Sequence, residues 1–163
     1  MNADAPAIPR ELDTTCFYYL ANLSTGPSKV LSVREDRNRI GLYMGDRLGL
    51  KQQFWKLVCL EPDPLKYSLR PAFFDGLFSI DILNDRGPDS QTVHLAATGW
   101  YSGQYWTITR WKDGTFRLHN DFTEEDRHLA VNEKGEIMVN DGDDPSQHWV
   151  FTEGDLQERQ MEP

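Results

Sequence analysis

A chain of 163 residues with 39% hydrophobic and 12% aromatic content is long enough to bury a core without metal or disulfide staples. Its net charge of −9 and pI near 4.8 speak against nucleic-acid and anionic-membrane partners, which depend on clustered Lys and Arg. No stretch reaches the roughly 18 apolar residues of a membrane helix, and the opening Met1-Asn2-Ala3-Asp4-Ala5-Pro6 has no basic or apolar leader character, so a cytoplasmic or unconventionally exported chain is expected.

Residues 1–14 combine Ala, Pro and charge without apolar periodicity, and read as a flexible arm that carries no core. Cys16-Phe17-Tyr18-Tyr19-Leu20 is an aromatic-rich strand that breaks at Ser24-Thr25-Gly26-Pro27-Ser28. Val30-Leu31-Ser32-Val33 alternates, turns through the charged Arg34-Glu35-Asp36-Arg37-Asn38 and leads to Ile40-Gly41-Leu42-Tyr43-Met44; a fourth strand is expected at Gln53-Phe54-Trp55-Lys56-Leu57-Val58. The order then repeats. Strands are expected around Tyr67-Ser68-Leu69-Arg70, Ser79-Ile80-Asp81-Ile82, Thr92-Val93-His94-Leu95 and Gln104-Tyr105-Trp106-Thr107-Ile108, and again around Phe116-Arg117-Leu118-His119, His128-Leu129-Ala130-Val131, Glu136-Ile137-Met138-Val139 and Gln147-His148-Trp149-Val150-Phe151. From Thr152 onward the chain is charged and aperiodic and reads as a frayed tail.

Two patterns bind these strands into three units. A Gln-any-Trp kernel closes each one, at Trp55, Trp106 and Trp149, spaced 51 and 43 residues apart. Apolar residues also recur 49 apart: Leu20, Leu69 and Leu118; Leu31, Ile80 and Leu129; Val33, Ile82 and Val131. Drift would have left polar residues at some of these positions. The flanking arm and tail (1–14 and 153–163) therefore bracket one domain over 15–152, with units at about 15–61, 62–111 and 112–152.

Twelve short strands avoid exposed edges by closing on themselves, so an all-β, threefold closed barrel is expected. Three such units ending in Gln-any-Trp resemble the ricin-B-type β-trefoil, from about Phe17 to Phe151. The resemblance implies a six-stranded barrel with a cap of three hairpins and pseudo-threefold symmetry. It also implies that Trp55, Trp106 and Trp149 are core, and that Gln53, Gln104 and Gln147 hold the backbone of their own repeats instead of a ligand.

The same resemblance implies where sugar-binding groups would stand: an Asp on the second strand, a polar then an aromatic residue on the third, and an Asn before the kernel. Repeat one offers Ser32, Gly41, Tyr43 and Gln52 at these positions; repeat two Asp81, His94, Ala96 and Gly103; repeat three Ala130, Met138, Asn140 and Ser146. No repeat keeps the full set. Repeat two is the best remnant, because Asp81 survives and the loop residues Trp100 and Tyr101 offer stacking faces for a sugar ring. The ligand-binding set is therefore Asp81, Asn84 of the adjoining turn, His94, Trp100 and Tyr101, with Tyr43 and Gln52 as a weaker pair. For Asp81 the structural alternative is a bond to the turn at Asn84-Asp85, and for all four histidines it is a hydrogen-bonded structural role.

There is no phosphate loop, nucleophile elbow or paired metal-binding His, so neither catalysis, a cofactor nor a metal is expected. Asn140-Asp141-Gly142-Asp143-Asp144 lacks the distal Glu of a calcium loop and reads as a solvated turn. A glycan or glycoprotein is the expected partner. The alternative is a protein partner, as for a protease inhibitor or companion subunit, met by the stiff Glu61-Pro62-Asp63-Pro64 segment or by Phe73, Phe74, Leu77 and Phe78, unless those rings fold inward. Cys16 and Cys59 flank unit one and are either free thiols or a disulfide brought together by antiparallel pairing.

Overall fold

The computed structural model describes residues 12–37, 39–62, 65–83, 92–123 and 125–154. Twelve strands run through them: β1 (Phe17–Asn22), β2 (Gly26–Asp36), β3 (Arg39–Asp46), β4 (Trp55–Pro62), β5 (Leu65–Pro71), β6 (Phe78–Ile82), β7 (Val93–Ala97), β8 (Trp106–Arg110), β9 (Phe116–Asn120), β10 (Arg127–Val131), β11 (Ile137–Asp141) and β12 (Trp149–Gly154). The period-two apolar pattern thus folds as strands throughout, and the helical turns among the described residues are three-residue 3-10 segments.

Six strands close a ring by antiparallel pairing, in the order β1, β4, β5, β8, β9, β12 and back to β1. The other six form hairpins, β2–β3, β6–β7 and β10–β11, one from each repeat. Closure gives every barrel strand two neighbours and removes the open edges.

The kernels explain how each repeat locks. Trp55, Trp106 and Trp149 are fully buried, and their indole N–H groups donate to the carbonyls of Leu31 (2.9 Å), Ile80 (3.1 Å) and Leu129 (2.9 Å). These carbonyls belong to one of the 49-residue series, so a single bond ties each barrel strand to the hairpin of its own repeat. Leu20, Leu69, Leu118 and the other members of the three series are buried with them.

The kernel glutamines sit at the ends of the 3-10 turns Lys51–Gln53, Ser102–Gln104 and Pro145–Gln147, two residues before the strands in which the pattern places them. Turning there aims each side chain back along its own repeat. Their amide groups donate to the carbonyls of Asp46 (2.5 Å), Ala97 (2.9 Å) and Asp141 (2.6 Å). In repeats one and two the amide oxygen accepts backbone N–H, from Leu48 (2.9 Å) and Gly99 (3.1 Å); in repeat three His128 Nδ1 fills that place (2.8 Å).

Both chain ends contribute more than the aperiodic sequence suggests. Leu12 is buried in the core, and the Asp13 N–H donates to the Tyr18 hydroxyl (2.7 Å), so the end of the expected arm is packed. Thr152, Glu153 and Gly154 pair with Tyr19, Tyr18 and Phe17 and complete the barrel seam. Backbone pairing does not need an apolar side chain, which is why the charged stretch hides a strand. Cys16 and Cys59 are both unbridged.

Candidate functional site

In repeat two, β6 and β7 pair so that Asp81 lies opposite His94. Asp81 is nearly buried, and its Oδ2 accepts a hydrogen bond from His94 Nε2 at 2.7 Å. Oδ1 faces Gly103, where a Cβ would stand only 2.7 Å from it and 3.1 Å from the Ile82 carbonyl. A side chain at position 103 and this carboxylate orientation exclude each other. The glycine found where the sugar-binding pattern carries Asn is therefore matched to the way Asp81 is held.

The loop leading to Gly103 carries the aromatic groups. Trp100 is 80% and Tyr101 59% exposed. Their backbone is anchored from both sides: Gln104 holds Gly99 and Ala97, while Thr98 Oγ1 accepts from Ser79 Oγ (2.8 Å) and donates to the Gly76 carbonyl (2.9 Å). A Cβ on Gly99 would collide with the Tyr101 ring, so the ring folds back over that glycine. Two large aromatic faces are thus displayed on a fixed loop, at a cost in water contact that folding alone does not explain.

Repeat one is organised differently. Ser32 is fully buried, donates to the Val30 carbonyl (2.9 Å) and accepts from Gln53 Nε2 (3.2 Å), so it belongs to the scaffold. The β2–β3 register puts Tyr43, not Gly41, opposite Ser32, the place that His94 takes in repeat two; Gly41 pairs with Arg34. The spacing alignment is therefore two residues off in this hairpin. The Tyr43 ring lies under the Arg34 guanidinium, 4.3 Å from its centre. Gln52 is half-exposed in its 3-10 turn, and no hydrogen bond or ring contact among the described residues joins Tyr43 or Gln52 to the Asp81–His94 pair. Asn84 lies outside the described residues, as does Asp85 of the same turn.

Repeat three keeps none of the sugar-binding residue types, yet Ala130, Met138, Asn140 and Ser146 all line one groove of about 770 Å³, walled on the other side by Leu23 and Ser24. The groove leaves no mark in the sequence because its lining residues follow no binding pattern, while the backbone shapes it. Its acidic turn is spent on structure: Asp144 accepts from the Ser146 N–H (2.9 Å) and from the Ser146 hydroxyl. Among the described residues no cluster of His, Cys, Asp or Glu could hold a metal.

The remaining histidines sit inside hydrogen-bonded or buried surroundings. His148 contacts Asp113 (2.9 Å), Thr115 (2.8 Å) and the Asp143 carbonyl (2.8 Å) and stacks on Trp111, with ring centres 4.6 Å apart. Burial pushes His119 and His128 below the usual imidazole range. Phe73 meets Phe74 edge-on, Phe74 meets Phe78 at a tilt, and all three pack against the core; of that apolar hairpin only Leu77 is exposed, at 68%. Within the stiff segment that begins at Glu61, residues 63 and 64 lie outside the described residues.

No family model and no curated protein sequence matches the chain. Solved structures do. A mosquitocidal holotoxin aligns over 88% of this chain and 18% of its own, at 15% identity and a TM-score of 0.74. The BEL β-trefoil aligns over 88% and 96%, at 15% identity and 0.68. The Polyporus squamosus lectin, solved with the human-type influenza-binding epitope Neu5Acα2-6Galβ1-4GlcNAc, aligns over 87% and 50%, at 17% identity and 0.65. This chain thus spans less than a fifth of the holotoxin but nearly all of the BEL trefoil. A closed ring of six strands and three capping hairpins, aligned with these structures over more than four-fifths of the chain, make this an all-β chain with the β-trefoil fold.

Proposed function

We propose that this chain is a non-catalytic carbohydrate-binding module, with its principal site in repeat two. The observation that carries the reading is the exposure of Trp100 and Tyr101 on a loop anchored by Gln104 and running directly into Gly103, which lies against Asp81. A sugar offers paired hydroxyls to a carboxylate and an apolar ring face to an aromatic side chain. Asp81 Oδ1 is the acceptor, and His94 fixes the carboxylate through Oδ2. Trp100 and Tyr101, both exposed, supply the stacking surface.

The lectin-like fold supports this reading, and the groove of repeat three supports a second, differently specific subsite. A protein partner has less support, since three of the four hairpin apolar residues turn inward. A glycan array probed with the whole chain tests the proposal. Binding that disappears in Asp81→Ala and in Trp100→Ala, with folding intact, is the expected result. No binding to any glycan, or binding that both variants retain, would refute it.

A further inference from the structure

Clefts lie on the barrel flank where one repeat hands over to the next, and two of them can be compared position by position through the 49-residue spacing and, past the kernels, through the 51-residue step from Trp55 to Trp106. At the second handover Lys66 and Asp121 face each other and pair at 2.7 Å, beside Thr107, His119 and Asn120. That cleft is neutralised from within.

At the first handover the corresponding places are taken by other chemistry. Phe17 stands for Lys66 and Ala72 for Asp121, so the internal ion pair is gone. Arg70 stands for His119 and Lys56 for Thr107, and Lys51 of the 3-10 turn adds a third cation to the lining. Asp75 is the carboxylate at this cleft, yet no ion pair joins it or another described carboxylate to Lys51, Lys56 or Arg70. In a chain of net charge −9, three cations left without such partners around one opening ask for an anion from outside.

The cleft is also shaped. Asn22 and Asn120 close the equivalent strand ends by donating to the Ser146 (2.8 Å) and Gly103 (2.7 Å) carbonyls. Pro71 occupies their place here and has no such donor, and the chain continues instead into the 3-10 turn Ala72–Phe74. The result is an opening of about 460 Å³ with Phe17, Val58 and Pro71 as apolar wall. Arg70 is half-buried, held by Nε donating to Ser68 Oγ (2.8 Å). Burial pushes its guanidinium down, and no described carboxylate is bonded to it to offset the loss of water.

We infer that this cleft binds the oxyanion of an acidic saccharide residue, a sulfate ester or a carboxylate, with Arg70, Lys51 and Lys56 as donors and the sugar ring against Phe17. The oxyanion part stands on the cleft alone; the sugar ring rests on the carbohydrate-binding reading above. Guanidinium and ammonium donors suit oxyanions because their hydrogen bonds are charge-assisted on both sides.

The test titrates the whole chain calorimetrically with a heparin tetrasaccharide, with tetragalacturonate and with neutral cellotetraose, at low and physiological salt. The expected result is binding of at least one acidic probe, weakened by salt, with about a tenfold loss for each cation removed in Lys51→Gln, Lys56→Gln and Arg70→Met. Preference for heparin assigns the anion as a sulfate ester, and preference for tetragalacturonate assigns a carboxylate. If neither acidic probe binds at millimolar concentration, or if the Lys51→Gln/Lys56→Gln double variant binds like the parent, the inference is overturned. Acidic-probe binding that survives where the array finds no repeat-two ligand would reject the repeat-two site and uphold the cleft.

Discussion

Gly103 presents bare backbone to the Asp81 carboxylate, and a methyl group there would stand 2.7 Å from Oδ1. The contact ties the glycine at position 103 to the way the Asp81 carboxylate is held. Restoring Asn at position 103 should therefore damage the repeat instead of rebuilding a site. Overpacking of this kind costs about 1–3 kcal/mol, and the Ile82 carbonyl at 3.1 Å blocks an easy escape. Thermal denaturation of Gly103→Asn should show a melting point lower by several degrees; an unchanged one would mean that Asp81 swings freely.

The kernel tryptophans make a graded series possible. Trp106→Ala should cost about 3–5 kcal/mol, enough to threaten a fold worth roughly 5–15 kcal/mol. Trp106→Phe keeps most of the buried ring but removes the donor to the Ile80 carbonyl, and should cost an intermediate amount, about 1–3 kcal/mol. Urea midpoints of the two variants check the order.

The kernels and the 49-residue series make twelve strands and twelve core residues legible in the sequence, because burial enforces them in all three repeats at once. The register of the β2–β3 hairpin is not legible there, since a slip of two residues keeps the same face inward and leaves the apolar pattern unchanged. Spacing therefore aligns Tyr43 with the wrong position, while the pairing of Asp81 with His94 is seen only once β6 and β7 are in register. Leu12 and Thr152 escape for another reason: a lone apolar residue and a charged pairing strand carry no period to detect. The flank cleft depends on Pro71 replacing an Asn, a signal visible only once the three strand ends are compared.

Acid should weaken the fold before carboxylates matter. His119 and His128 are held below the ordinary value of 6.5 chiefly by burial, although the bond to Gln147 opposes this at His128. The unfolded chain therefore binds more protons, so their neutral forms contribute full stability above pH 6.5 and lose it as pH falls from there through the folded values. Asp13 and Asp113, lowered mainly by bonds to Thr15 and Thr115, act in the same direction only at far lower pH, below 3.8. Melting points between pH 8 and pH 5 should fall, and the fall should shrink in His119→Gln; a flat profile would contradict the assignment.

Thiol chemistry should find two free cysteines of unequal reactivity. Cys59 is exposed, whereas burial, reinforced by the Glu153 carboxylate, pushes the Cys16 thiol up to about 11. Labelling the native protein at pH 8 should modify Cys59 first, and the unreduced, unfolded chain should titrate two thiols. Finding none would establish a disulfide.

The indole N–H resonances of the five tryptophans put the repeat-two site to its most direct test. Four indoles are bonded to backbone carbonyls, those of Leu31, Ile80, Leu129 and Gln147, while Trp100 stands in water. Titrating a glycan identified on the array into the labelled chain should shift the Trp100 indole together with the backbone amides of Tyr101 and Gly103, saturably, and leave Trp55, Trp106 and Trp149 in place. Shifts confined to other surfaces, with Trp100 unmoved at saturation, would contradict a saccharide site in repeat two.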